Sequence, residues 1–172
     1  MPTINGKACV VNGTPVDKVF SDGRQVYGRN MLPDSDISKS VTYNGGLGDF
    51  GAAGTAKIDL FNSLRGKTIT ISVDIEWSNW IQGDPRNRLG VEWRLIYSDG
   101  TSLYIGAWET SNQESKSKHR YSETVTIPDR EIVLIDEGLF YVQAYCTVTI
   151  GHAQIEIGNL ATDWSPAPED VM

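Results

Sequence analysis

The stretch TITISVDIEW, residues 68–77, decides the fold. Ile69, Ile71, Val73, Ile75 and Trp77 alternate without a break with Thr68, Thr70, Ser72, Asp74 and Glu76. A period of two sends successive side chains to opposite faces of an extended chain, so the stretch predicts a strand with one apolar and one polar face. The apolar face needs a second layer to bury it.

The same pattern recurs downstream. Val91, Trp93, Leu95 and Tyr97 alternate with Glu92, Arg94 and Ile96, and the turn Ser98-Asp99-Gly100-Thr101 leads into Ser102–Trp108, which predicts a hairpin. Tyr121–Ile127 predicts a further strand, stopped by Pro128-Asp129. Phe140, Val142, Ala144, Cys146, Val148 and Ile150 then alternate with Tyr141, Gln143, Tyr145, Thr147 and Thr149, and Gln154–Ile157 forms a last short strand. No segment sustains a helical period; Leu60–Leu64 makes one turn at most. The expected fold is all-β: two antiparallel sheets packed as a β-sandwich.

The front of the chain reads differently. Asn5-Gly6, Asn12-Gly13 and Asp22-Gly23 are hairpin turn signals between short runs at Ala8–Val11, Val16–Phe20 and Gln25–Tyr27. Such ribbons bury little alone, so 1–28 is expected as a hairpin or linker ahead of a sandwich domain at 29–172. The segment YNGGLGDFGAAGTA, residues 43–56, reads as a turning or flexible loop. It lacks the GK[ST] ending of a phosphate loop.

Composition narrows the function classes. The chain has 172 residues, 40% of them hydrophobic and 22% charged, which suits one compact domain with a small appendage. A formal charge of −7 argues against nucleic acid, whose phosphates need clustered Lys and Arg. No apolar run approaches the roughly 20 residues of a membrane span. MPTINGKACV lacks the basic start and apolar run of a secretory signal. Cys9 and Cys146 provide neither a disulfide framework nor metal spacing, so assembly in a reducing cytoplasm with both thiols free is expected.

Three motifs carry a resemblance. Gly28-Arg29-Asn30-Met31-Leu32 resembles the opening, and Leu64-Arg65-Gly66-Lys67-Thr68-Ile69-Thr70-Ile71-Ser72 the first strand, of tail-associated proteins of phages that infect Gram-positive bacteria. The close, Ile157-Gly158-Asn159-Leu160-Ala161-Thr162-Asp163-Trp164-Ser165-Pro166-Ala167-Pro168-Glu169-Asp170, resembles their ending and is the most specific of the three. Together they cover roughly residues 28–170. The resemblance implies a jelly-roll, galactose-binding-like carbohydrate-binding module of a siphophage distal tail, baseplate or receptor-binding protein. It further implies a place in the virion tail tip after assembly in the host cytoplasm. The implied partners are host cell-wall polysaccharide and other tail or baseplate proteins, without nucleic acid or membrane. Trp164 is expected to fold back over the sandwich as a clamp, with Pro166 and Pro168 preventing a further strand.

A sugar presents C–H groups on one face and hydroxyls around its rim, so its site pairs aromatic rings with carboxylates, amides and Arg. Strand parity turns Trp77 and Trp93 inward. It turns Asp74, Glu76, Glu92, Arg94, Tyr104, Trp108, Tyr141, Gln143 and Tyr145 outward, onto what reads as one exposed sheet face. Such a face suits a polysaccharide groove; a solvated face with cross-strand ion pairs is the plainer alternative. Trp80, in SNWIQGDPRNR beside Gln82, Asp84, Arg86 and Arg88, reads as a loop residue and a second candidate. Asp74, Glu76 and Glu92 also offer the carboxylate pair of a glycosidase. The expected function is nevertheless binding without catalysis; a structural adaptor making only protein contacts is the alternative, and a glycoside hydrolase the remoter one. His119 and His152 stand apart without zinc-site spacing, so no metal ligands are assigned. No cofactor is expected, although the acidic segment Asp34-Ser35-Asp36 leaves room for one structural calcium. The run Glu114–Arg120 reads as a solvated basic loop.

Overall fold

A computed structural model describes residues 10–44, 48–82, 87–110 and 113–171. Two small ribbons come first, β1 (Val10–Val11) with β2 (Thr14–Pro15) and β3 (Lys18–Ser21) with β4 (Arg24–Gly28). Their turns hold Asn12-Gly13 and Asp22-Gly23 at positive φ, as the dipeptides predict. Cys9 and the Asn5-Gly6 turn lie outside the described residues.

The body contains β5 (Ser38–Asn44), β6 (Gly48–Ala52), α1 (Ile58–Ser63), β7 (Thr68–Gln82), β8 (Leu89–Tyr97), β9 (Ser102–Glu109), β10 (Lys116–Thr126), β11 (Ile132–Val142) and β12 (Ala144–Ile157). Sheet I runs β10-β7-β12-β5 and sheet II runs β6-β11-β8-β9. Every pairing is antiparallel. With the body strands taken in chain order, the sheets read 6-3-8-1 and 2-7-4-5. That is the strand order of an eight-stranded jelly roll, so the expected fold stands. Among the described residues, no helix is long and apolar enough to cross a membrane.

The core forms where the two apolar parities meet. Ile69, Ile71, Val73, Ile75 and Trp77 of β7 face Leu89, Val91, Trp93 and Leu95 of β8, all buried. Helix α1 supplies Phe61, fully buried with its ring 6.2 Å from that of Trp93. The Asn62 side chain ties the helix to β11, donating to the Ile132 carbonyl at 2.9 Å and accepting from the Ile132 amide at 3.1 Å.

Several elements depart from the sequence reading. Gly48–Ala52, expected within a loop, is the edge strand β6. Strand β11 begins at Ile132, where Ile132-Val133-Leu134-Ile135 shows no alternation; register shifts interrupt its pairing with β8. Lys116–Arg120, expected in a solvated loop, is the start of β10.

The C-terminal segment lies over the end of sheet I as a strap. Asn30 donates to the Ser165 carbonyl at 3.0 Å, and the Ser165 amide donates to Gln154 Oε1 at 3.0 Å. Glu156 accepts from the Thr162 amide at 3.1 Å and the Thr162 hydroxyl at 2.7 Å. The half-buried Trp164 ring stacks 4.9 Å from His152. Trp164 is therefore a clamp, as its surroundings in the sequence suggest.

Candidate functional site

The outer face of sheet II gathers six of the expected residues. Across its central row, Tyr141 of β11 pairs with Gly90 of β8, which pairs with Trp108 of β9. Glu92 faces Gly106 in the next row, and Arg94 stands between Asp136 and Tyr104 in the one beyond. Ser102 to Trp108 spans about 20 Å at roughly 3.4 Å per residue.

Arg88 organises this face. Its guanidinium stands 4.8 Å from the Trp108 ring and 5.2 Å from the Tyr141 ring. Its Nε donates to Gln143 Oε1 at 3.0 Å and its Nη2 to Glu92 Oε2 at 3.1 Å. The Tyr141 hydroxyl donates to the same Glu92 oxygen at 3.3 Å. Farther along, Arg94 lies 5.6 Å from the Tyr104 ring, which is exposed. The bare backbone at Gly106 lets Trp108 lie down: a Cβ there would come within 3.0 Å of ring atoms Cζ2 and Cε2. The result is a cluster in which Arg88 and Trp108 are partly exposed and Tyr141, Glu92 and Gln143 are buried behind them.

Gly90 and Gly106 are the residues the sequence reading missed, and Arg88 it grouped with the Trp80 loop. Arg88 shares the parity of Gly90, Glu92 and Arg94, so extending the alternation back from Val91 by three residues would have included it. Trp108 is half-buried under this network, and Tyr141, Glu92 and Gln143, expected on an exposed face, are buried, because Arg88 covers them and their polar atoms bond to one another.

The remaining expected residues go elsewhere. Asp74, Glu76 and Tyr145 lie on the outer face of sheet I, across the core from Trp108. The reason is a sheet switch at Gln143: β11 ends at Val142 and β12 begins at Ala144 in the other sheet. Both strands turn the same parity to the core, so the alternation runs on unbroken while the outer residues change faces. Asp74 is held in an ion network, 2.9 Å from Arg120 Nη1, 3.1 Å from Lys118 Nζ and 3.1 Å from His152 Nδ1. Burial raises its pKa, but the Lys118 hydrogen bond and the Arg120 charge outweigh that and bring it below 3.8. With Asp74 and Glu76 on one face and Glu92 on the other, Glu92 cannot pair with either of them across one glycosidic bond.

Trp80 is not a loop residue. Strand β7 continues to Gln82, and Asn79, at φ 56°, flips its parity. Trp80 therefore turns inward, buried against Trp77 at 5.1 Å with its indole donating to Asn87 Oδ1 at 2.9 Å, while Ile81 turns out. No group of three or more His, Cys, Asp or Glu suited to a metal ion occurs among the described residues.

The two outer faces differ in kind. On sheet I, hydroxyls satisfy one another across strands: Ser40 with Thr149 at 2.7 Å, Thr42 with Thr147 at 3.0 Å, Thr68 with Thr126 at 2.9 Å and Thr70 with Thr124 at 3.1 Å. On sheet II, Trp108 Nε1, Gln143 Nε2 and Arg94 Nε are buried without a partner. Native proteins rarely leave such donors unpaired, which sets this face apart from the self-satisfied hydroxyl ladders of sheet I.

No protein-family model matches the chain, and no curated protein matches it in sequence. Among solved structures, the chain is similar to the tripod from the baseplate of bacteriophage Tuc2009, at 17% identity and a TM-score of 0.49. That likeness covers 84% of this chain, which spans 60% of the length of the other. The chain is also similar to the C-terminal family 22 carbohydrate-binding module of Clostridium thermocellum Xyn10B, at 15% identity and a TM-score of 0.37, over 73% of this chain and 84% of that one. A third likeness is to the CBM22-GH10 modules of the Clostridium thermocellum xylanase 10B solved with xylohexaose, at 12% identity and a TM-score of 0.42, over 80% of this chain and 29% of that one. None of these lends a residue role to this protein.

Proposed function

We propose that the protein is a non-catalytic carbohydrate-binding module of a phage tail or baseplate, attaching the particle to Gram-positive cell-wall polysaccharide through the outer face of sheet II. The observation that carries the reading is the convergence of Trp108, Tyr141 and Tyr104 with Arg88, Glu92 and Gln143 on that face. Rings offer stacking surface to sugar C–H groups, and the polar side chains offer hydrogen bonds to ring hydroxyls. The tail assignment rests on the sequence resemblance at the two ends of the domain. A shallow site gives weak single-copy affinity, which repetition around a symmetric tail converts into avidity.

Pull-down by purified Gram-positive cell walls tests the reading. The wild type is expected to sediment with walls and Trp108→Ala to stay in solution, with circular dichroism unchanged. Failure of the wild type to bind walls from any Gram-positive host would leave a structural adaptor as the function. Release of reducing ends from the walls would instead make the protein a hydrolase.

A further inference from the structure

We propose that the sheet II site recognises an acidic substituent on its glycan, a carboxylate or a phosphate, and that Arg88 is the residue that reads it. The proposal rests on the sugar-binding reading and deepens it.

The hydrogen-bond inventory of the face is one-sided. The unpartnered polar atoms there are all donors: Trp108 Nε1, Gln143 Nε2 and Arg94 Nε. Gln143 is fully buried, so its orphan amide has no water to turn to. The two acceptors beside Arg88 are engaged. Glu92 Oε2 takes both the Arg88 and the Tyr141 hydrogen bonds, and Gln143 Oε1 takes Arg88 Nε. Arg88 itself has five N–H donors and places Nε and Nη2 within the cluster.

A hydroxyl could accept from these donors, but it also brings a proton, and Glu92 Oε2 and Gln143 Oε1 beside Arg88 already accept hydrogen bonds. An oxyanion brings acceptors only. It pairs most strongly with a guanidinium, whose parallel N–H groups match two oxygens at once. The two flanking rings and two internal hydrogen bonds already hold Arg88 in place, so little of its freedom remains to be lost on binding. The Trp108 and Gln143 donors lie beneath with no open surface. A ligand therefore meets the Arg88 edge, and the buried donors behind it add to the positive potential of the face.

The side-chain N–H signals of Arg88, Trp108 and Gln143 can be followed by nuclear magnetic resonance during titration with D-glucuronate, D-glucose 6-phosphate, D-glucose and inorganic phosphate. The expected result is that glucuronate or glucose 6-phosphate shifts these signals with a Kd at least tenfold below that of glucose, the tighter of the two telling carboxylate from phosphate. Arg88→Gln should abolish that preference with the circular dichroism spectrum unchanged. Glucose binding as tightly as the acids would overturn acid recognition while leaving sugar binding in place. Persistence of the preference in Arg88→Gln would overturn the role of Arg88. Inorganic phosphate binding as tightly as the sugar acids would mark an adventitious ion only and overturn the proposal. The absence of any shift would overturn it too, and wall sedimentation then judges the sugar-binding reading separately.

Discussion

Arg120 and Asp74 are direct cross-strand partners, and the Arg120 Nη1 donates to Asp74 Oδ1 at 2.9 Å. The same guanidinium donates to Ser72 Oγ at 2.7 Å and, through Nε, to the Thr162 carbonyl of the strap at 2.9 Å. One arginine, expected in a solvated loop, thus joins two strands of sheet I to the C-terminal segment.

Asp74→Asn should therefore destabilise the protein by about 2–4 kcal/mol at pH 7, because it leaves a mostly buried Arg120 without its counter-charge. The native pKa of Asp74 lies below 3.8, so the unfolded chain binds the proton more readily. Its stabilisation is complete above that value and is lost as the pH falls through the native pKa. Urea unfolding at pH 7 and near pH 3 should show the gap between variant and parent narrowing in acid. An equal gap at both would refute the ion-pair account. Wall binding should survive the change.

Glu156 behaves in the opposite sense. Burial raises its pKa above 4.5, against the two Thr162 hydrogen bonds and the Arg120 charge that favour the carboxylate. The native protein then holds the proton more tightly than the unfolded chain, so this group's contribution declines as the pH rises from 4.5 through the native pKa. Glu156→Gln should flatten the pH profile of the melting temperature over that interval. A profile parallel to that of the parent would show that Glu156 is not its source.

The tryptophans should separate cleanly. Trp93→Ala and Trp80→Ala empty buried positions and are expected to cost about 3–5 kcal/mol each. Trp108→Ala removes a half-buried ring stacked on Arg88 and should cost about 1–2 kcal/mol while abolishing wall binding. Loss of binding by Trp80→Ala at unchanged stability would move the site to the C-terminal end of β7, around Trp80.

Cys146 is free and buried, and burial pushes its thiol up to about 11. It should resist a thiol reagent in the native protein at pH 8 and react promptly in denaturant. Prompt native reaction would mean that the strand opens locally.

Gly90 and Gly106 sit where β8 and β9 approach most closely. A methyl group at Gly90 would collide with the Ala107 carbonyl, and one at Gly106 with the Val91 carbonyl. Gly90→Ala and Gly106→Ala should each cost about 2–3 kcal/mol, read from the urea midpoint. Full stability in either would show that the sheet relaxes at no cost.

The sequence by itself determined the layered fold. Alternation in Thr68–Trp77, Leu89–Tyr97 and Phe140–Ile150 names the buried partners of both sheets, because burial depends only on which side of a strand a residue occupies. It also selected Trp108, Tyr104, Tyr141, Gln143, Glu92 and Arg94, which do share a face. Strands without clean alternation escaped it: Gly48–Ala52 is rich in glycine, and Ile132–Val142 has four apolar residues in a row and register shifts.

Tertiary structure alone decided which outward residues became neighbours. Parity distinguishes inside from outside, but a sandwich has two outsides, and the chain crosses between them at Gln143 without breaking the period. That crossing carries Tyr145 to the face of Asp74 and leaves Tyr141 beside Trp108. A single left-handed residue, Asn79, likewise turned Trp80 inward against the pattern of its own strand. The position of the Arg88 guanidinium between two rings from different strands depends on register across three strands, and local sequence carries no record of it.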